Sequence, residues 1–201
     1  MSDQAPIIYV VDDDPAIRDS VAFLVSSLGY AYVTCASAQE LLETLDMTCP
    51  SCLVLDIRLP GMSGLELQRE LHRRRSSTGI IFITGHGDIP MAVRAMRYGA
   101  IDFLEKPFDD QVLLDQIDKA LHFSTKELQL NAQQSDIERK LGCLTERERE
   151  VMGLVIRGKT NKAIAQELDI SVKTVENHRH NLMSKAGVSS VAHLIAWASD
   201  R

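Results

Sequence analysis

No apolar run in the 201-residue sequence approaches the roughly 20 residues a membrane-spanning helix needs, so no membrane partner is expected. The opening Met1-Ser2-Asp3-Gln4 has no basic stretch followed by an apolar one. That argues against export and leaves the cytoplasm as the expected location. Cysteine is scarce: Cys35, Cys49, Cys52 and Cys143. Cys49-Pro50-Ser51-Cys52 is formally a CxxC, but no second CxxC or spaced His pair completes a zinc set. No helix pattern follows it as in a thioredoxin site, so it reads as a loop cysteine plus one entering a buried strand. Repeats and low-complexity tracts are also missing. Charged and apolar fractions are ordinary, which removes disorder as the default, and the length is enough for two domains.

The net charge of −6 hides an asymmetry. Residues 1–139 hold 12 Lys/Arg against 21 Asp/Glu, a balance of −9; residues 140–201 hold 10 against 7, a balance of +3. An acidic half joined to a basic half suggests that only the second meets a polyanion, although an excess of three does not establish this alone.

Five short apolar runs, Ile7–Val11, Ala31–Thr34, Cys52–Leu55, Ile80–Ile83 and Ile101–Leu104, alternate with helix-like stretches near 15–28, 38–47, 64–75, 89–98 and 110–122. Continuous apolar runs suit strands buried on both faces of a parallel sheet. Ser37-Ala38-Gln39-Glu40 and Ser63-Gly64-Leu65-Glu66 are capping boxes. Five βα units predict a doubly wound α/β domain over 1–122. Residues 123–143 are polar, lack Pro and contain only Gly142, which predicts a stiff helical linker. Leu114, Leu121 and Leu128 recur every seven residues, a spacing compatible with a pairing seam or with an ordinary amphipathic helix.

From Leu144 to the end, 144–201, the pattern is all helical. Thr145-Glu146-Arg147-Glu148 caps a helix to about Arg157, which Gly158 ends; Thr160-Asn161 starts a short one to Leu168. After the turn Asp169-Ile170-Ser171, a third runs to about Ala186 and Gly187 closes it; a fourth covers about 190–198. Helix, short turn, helix is the arrangement of helix-turn-helix proteins.

Polar chemistry gathers where the strands end: Asp12-Asp13-Asp14, Asp56, Thr84-Gly85 and Glu105-Lys106-Pro107. Ligands of open α/β sheets sit outside the carboxyl ends of strands where the strand order reverses. Placing the first and third strands side by side there brings Asp12, Asp13 and Asp56 together. Three carboxylates repel unless a cation joins them, and a few hard oxygen ligands suit Mg²⁺. With the Lys106 ammonium and the Thr84 hydroxyl, the set fits phosphoryl transfer to a carboxylate. Asp14, before Pro15, reads as a helix cap, and His86 in the glycine loop 85–87 as a loop residue.

These residues closely resemble the receiver domain of two-component response regulators, over about residues 5–122. The resemblance rests on Asp12-Asp13, on Asp56 within Leu55-Asp56-Ile57-Arg58-Leu59-Pro60-Gly61-Met62-Ser63-Gly64, on Thr84, and on Lys106-Pro107, in order and at these spacings. It implies a flavodoxin-like five-stranded parallel sheet and phosphorylation of Asp56 by a sensor histidine kinase. It also implies Mg²⁺ on Asp13, Asp56 and the Arg58 carbonyl with Asp12 acting through water, Lys106 on the phosphoryl group, and a cis Lys106–Pro107 bond. Thr84 and Phe103 would form a switch, with plain core packing as the other reading of Phe103.

The second half resembles the LuxR-type helix-turn-helix domain of the FixJ/NarL class. The matching stretches are Leu144–Val151, Asn161-Lys162-Ala163-Ile164-Ala165 and Ile170–His178, continuing through Lys185. A helix from Val172 to Lys185 would bury Val175, Leu182 and Met183 and expose the other face to a major groove. By analogy Glu176, Asn177 and His180 read base edges. Lys173, Thr174, Arg179, Lys185, Asn161 and Lys162 meet phosphates. Many relatives carry Lys at Glu176, so this anion either selects a base or pairs with Arg179.

Together the resemblances imply a transcription factor that dimerises on phosphorylation, binds double-stranded DNA and works with RNA polymerase. It would not be an enzyme beyond slow self-catalysed phosphoryl transfer and hydrolysis. Two rivals remain: an orphan regulator that is always dimeric, and a metal-dependent phosphatase. The phosphatases place a second Asp two residues after the nucleophile, where this chain has Arg58.

Overall fold

The structure, a computed structural model, describes residues 5–85, 89–188, 190 and 194. The chain divides into two compact units, Met1–Leu130 and Asn131–Arg201. Both units share one long helix, within which the division falls.

The first unit follows the alternation of the sequence: β1 (Ile7–Val11), α1 (Pro15–Ser27), β2 (Ala31–Cys35), α2 (Ala38–Thr44), β3 (Ser51–Asp56), α3 (Gly64–Arg73), β4 (Gly79–Thr84), α4 (Ile89–Arg97), β5 (Asp102–Glu105) and the start of α5 (Asp110–Gly142). All strand pairs are parallel, in the order β2-β1-β3-β4-β5. This is the flavodoxin-like order, with the reversal between β1 and β3. Because successive strand residues point to opposite faces, Tyr9, Val11, Leu53, Leu55 and Phe82 build one core cluster with Leu41, Leu67 and Leu71 of α2 and α3. Ile8, Val10, Val54, Ile81 and Ile83 build the other, with Val21 and Val25 of α1 and Leu113 and Ile117 of α5.

Local chemistry sets the helix ends. Asp14 caps α1, accepting from the Ala16 N–H with Pro15 in the first turn. Ser63 and Glu66 complete a capping box on α3. The box at Ser37 is half made: Ser37 accepts from the Glu40 N–H, but Glu40 turns its carboxylate to the Ala36 N–H. Helix α5 extends well beyond the 110–122 of the periodic pattern, through the polar stretch to Gly142. Leu121, and more peripherally Leu114, pack into the first unit's core, so their seven-residue spacing serves ordinary packing there. Cys49 and Cys52 are buried free thiols, one before β3 and one inside it.

The second unit contains α6 (Glu146–Ile156), α7 (Asn161–Leu168) and α8 (Val172–Ala186), capped by Thr145, Thr160 and Ser171. Gly158, at φ +76°, follows α6, and Gly187, at +70°, closes α8; left-handed backbone of this kind favours glycine. Asp169 adopts the left-handed conformation between α7 and α8 at φ 52°, which turns the chain for the second helix of the motif. Val151, Val155, Ile164, Val175, Leu182 and Ala186 form its core. The helix expected at 190–198 falls largely outside the described residues. Within it Leu194 is buried and its N–H donates to the Ser190 carbonyl at 3.0 Å. No helix among the described residues is long and apolar enough to cross a membrane.

Candidate functional site

Strand register builds the acidic site. Val11 pairs with Leu55, so Asp12 and Asp56 follow at adjacent strand ends on either side of the reversal between β1 and β3. Carboxylate oxygens of Asp12, Asp13 and Asp56 lie within 4.8 Å of one another. Asp12 is fully buried, Asp56 nearly so, and Asp13 is exposed. A carboxylate trio with two buried members and one open to solvent is a donor set suited to a hard divalent cation that keeps several waters.

Lys106 closes the site from the loop after β5. Its ammonium donates to Asp12 Oδ2 at 2.5 Å and to Asp56 Oδ2 at 3.0 Å. The Lys106 N–H donates to the Thr84 carbonyl at 2.8 Å, and the Lys106–Pro107 peptide is cis. The remaining Asp12 and Asp56 oxygens are held locally: Asp12 Oδ1 accepts from the Asp14 N–H (2.9 Å) and Asp56 Oδ1 from the Arg58 N–H (3.1 Å). Thr84 is buried at the end of β4. Phe103 pairs with Phe82 in the sheet register and packs, partly buried, against the core cluster behind Asp56.

Burial raises the Asp12 carboxyl above the usual range, against the pull of the Lys106 hydrogen bond and charge. Lys106 is shifted upward as well: burial disfavours its charge, but hydrogen bonds from it to Asp12 and Asp56, with the charges of those carboxylates, prevail and raise its pKa. A carboxylate whose charge is disfavoured by burial, beside a lysine whose charge two carboxylates support, suits the uptake of a metal ion and then of an anion.

Two contributors escape a linear reading. Arg18, in α1, donates from Nη1 to the Asp12 carbonyl at 2.6 Å and fixes the backbone between Asp12 and the cap Asp14. Its signal is its position one turn after Asp14 on a helix that starts at the site. Gly64 brings the N-terminus of α3 against Asp56: its N–H donates to the Ile57 carbonyl at 2.9 Å. Of the expected site residues, Asp12, Asp13, Asp56 and Lys106 converge, with Thr84 joined through the Lys106 backbone. His86 lies outside the described residues.

The second unit presents α8 as a mixed surface. Val175 and Leu182 are buried and Met183 packs at the core's edge, as the helical pattern requires. Lys173, Glu176, Asn177 and His180 are exposed; Thr174 and Arg179 are half-buried. Asn161 and Lys162 open α7. Thr174 shares its hydroxyl with the cap residue Ser171 at 2.8 Å. Glu176 takes Lys173 as its ion-pair partner at 3.5 Å rather than Arg179, three residues earlier instead of three later. Lys185, expected at a phosphate, gives its ammonium to Glu148 at 2.7 Å.

The profile of the response regulator receiver domain matches residues 8–118, and that of bacterial regulatory proteins of the luxR family matches residues 142–198. The response regulator protein TodT of Pseudomonas putida is 43% identical over 195 residues, covering 97% of this chain and 86% of TodT. The transcriptional regulatory protein FixJ of Bradyrhizobium diazoefficiens is 42% identical over 191 residues, 95% of this chain and 93% of FixJ. Among solved structures, the response regulator StyR is similar at a TM-score of 0.88 and 44% identity, covering 98% of this chain and all of that one.

Proposed function

Because the chain belongs to the response regulators that join a receiver domain to a LuxR-type DNA-binding domain, we propose that Asp56 accepts a phosphoryl group from a sensor histidine kinase and that this controls DNA binding. The observation that carries the reading is Lys106 bridging Asp12 and Asp56 at the strand ends, beside Asp13.

In the transfer, an oxygen of the Asp56 carboxylate forms a bond to phosphorus while the bond from phosphorus to the donor breaks. The leaving imidazole nitrogen of the kinase's phosphohistidine keeps that electron pair and picks up a proton. Lys106 is placed to meet the transferred group's charge, and Arg18 and Asp14 hold the Asp12 loop still while it arrives. Asp12, Asp13, Asp56 and the Arg58 carbonyl would hold Mg²⁺, which when bound supplies charge neutralisation for the incoming phosphoryl oxygens. The Thr84 hydroxyl then turns toward the phosphoryl group and Phe103 moves inward, biasing a two-state equilibrium by a local charge. Self-transfer and self-hydrolysis are slow, so the protein is a switch and not a turnover enzyme.

Receiver limits of 1–122, a helical linker over 123–143 and an effector domain over 144–201 fit this division of labour. Phosphorylated receivers pair, and two copies of α8 then bind half-sites about one helical turn apart. Linking two modules raises affinity through effective concentration. Glu176, Asn177 and His180 read bases; Lys173, Thr174, Arg179, Asn161 and Lys162 meet phosphates. The protein acts in the cytoplasm, with RNA polymerase as its downstream partner. Full-length protein treated with a phosphodonor should footprint DNA more tightly than untreated protein, and Asp56→Asn should show no such gain. Equal gain in the variant overturns phosphoryl control.

A further inference from the structure

Glu148, in the first turn of α6, is 3% exposed and its carboxylate accepts three hydrogen bonds. The Thr145 N–H donates at 2.8 Å and closes the capping box. The other two come from Lys185 Nζ, at 2.7 and 3.0 Å, from the last turn of α8. Capping α6 requires only Thr145 and Glu148, so the Lys185 bonds serve something else.

What they do follows from where they sit. Elsewhere among the described residues α6 and α8 contribute Val151, Val155, Val175, Leu182 and Ala186 to one apolar cluster. Apolar burial is non-directional, and a stripe of aliphatic side chains leaves α8 free to roll slightly. A lysine forked onto a buried carboxylate is directional and, because an unpaired buried charge is costly, hard to break. Asn177 lies eight residues and Lys173 twelve residues before Lys185, about 12 and 18 Å along the helix. A tilt of a few degrees at the Lys185 end moves these side chains by about 1 Å, enough to misplace bidentate base contacts.

We infer that Glu148 is a positioning residue for DNA recognition: through Lys185 it sets the roll and tilt of α8, and Lys185 serves α6 rather than a phosphate. The inference rests on α8 being the DNA-facing helix. Burial opposes the charge on Glu148, yet the bonds from Lys185 and Thr145 hold its carboxyl below the usual range.

The test uses full-length Glu148→Gln, Lys185→Met and Lys185→Arg, with Arg179→Ala as a control. Probes are a duplex enriched from a random pool by the unmodified protein and a random-sequence duplex of equal length. Binding is measured over a salt series, below each variant's melting temperature. Glu148→Gln and Lys185→Met should lose about tenfold in affinity for the enriched duplex, the scale of one mispaired base contact. They should keep random-sequence affinity and the slope of log affinity against log salt, and Lys185→Arg should restore selectivity. Unchanged selectivity in both variants means the pair only stabilises the fold and overturns the inference. A slope reduced by about one in Lys185→Met means a phosphate contact and overturns it too. Should Arg179→Ala alter neither affinity nor slope while the Glu148 variant loses selectivity, the DNA-facing assignment of the α8 surface fails, and the inference with it. Loss in both variants, with a lowered slope only in Arg179→Ala, sustains both readings.

Discussion

A Cβ placed on Gly64 would lie 2.3 Å from the carbonyl oxygen of Asp56. The same Cβ would lie 3.1 Å from the Asp56 carbonyl carbon, so relief needs movement of the backbone at Asp56 itself. The start of α3 is thus packed against the residue proposed to carry the phosphoryl group. Gly64→Ala should destabilise the first unit by about 1–3 kcal/mol, the usual cost of overpacking, and slow phosphoryl acceptance even where the protein remains folded. Thermal melts with phosphorylation rates at a permissive temperature check this. Wild-type values for both would show that the approach has no consequence.

Asp12 gives a stability dependence with a definite sign. Burial raises its folded pKa despite Lys106, so the unfolded chain gives up this proton more readily. Its contribution is fully present below the ordinary Asp value near 3.9 and is lost as pH rises through the raised folded value. Asp12→Asn removes that loss. In chelator-containing buffer the variant should melt above wild type at neutral pH, with the gap closing toward about pH 3. A variant no more stable than wild type at neutral pH would mean that Lys106 outweighs burial.

Magnesium should stabilise the folded protein by mass action, about 2.7 kcal/mol at a hundredfold excess over its Kd. Asp13→Asn, which alters the exposed member of the carboxylate trio, should weaken that effect by at least tenfold in concentration, and chelation should reverse it. Melting temperature against Mg²⁺ concentration reads this directly. A curve identical in the variant would remove Asp13 from the metal site.

On α8, Lys173→Ala and Asn177→Ala should fail differently. Lys173 is exposed, with its ammonium 3.5 Å from Glu176; as a phosphate contact its loss lowers affinity for all sequences and reduces the salt slope by about one. Loss of the Asn177 amide should cost about 1–3 kcal/mol on the enriched duplex and relax preference at one base pair, leaving the slope alone. Salt-dependent binding to matched and mismatched duplexes separates the two.

Periodicity and caps carried most of the fold. The five apolar runs match the strands to within one residue at every end, and Asp14, Ser63, Thr145, Thr160 and Ser171 cap the helices they precede. The acidic cluster was legible because its members stand at the carboxyl ends of strands, and the sheet order that sets β1 beside β3 then brings Asp12 beside Asp56. Pairs made by tertiary packing were not. Glu148 reads as a cap, but nothing local announces Lys185, 37 residues away. Arg18 reads as one more charge on a helix until α1 is placed against the β1 terminus. The length of α5 was split by composition, because polar residues 123–142 carry no apolar stripe although nothing in them breaks a helix.

Phosphoryl acceptance at Asp56 can be measured without knowing the kinase. Full-length protein is incubated with a small acyl phosphate and Mg²⁺, and its intact mass and the modified peptide are determined. Wild type should gain one base-labile phosphoryl group on Asp56, Asp56→Asn should gain none, and a chelator should suppress the reaction. Equal labelling of the variant, or labelling undiminished without Mg²⁺, would contradict the site as drawn from Asp12, Asp13, Asp56 and Lys106.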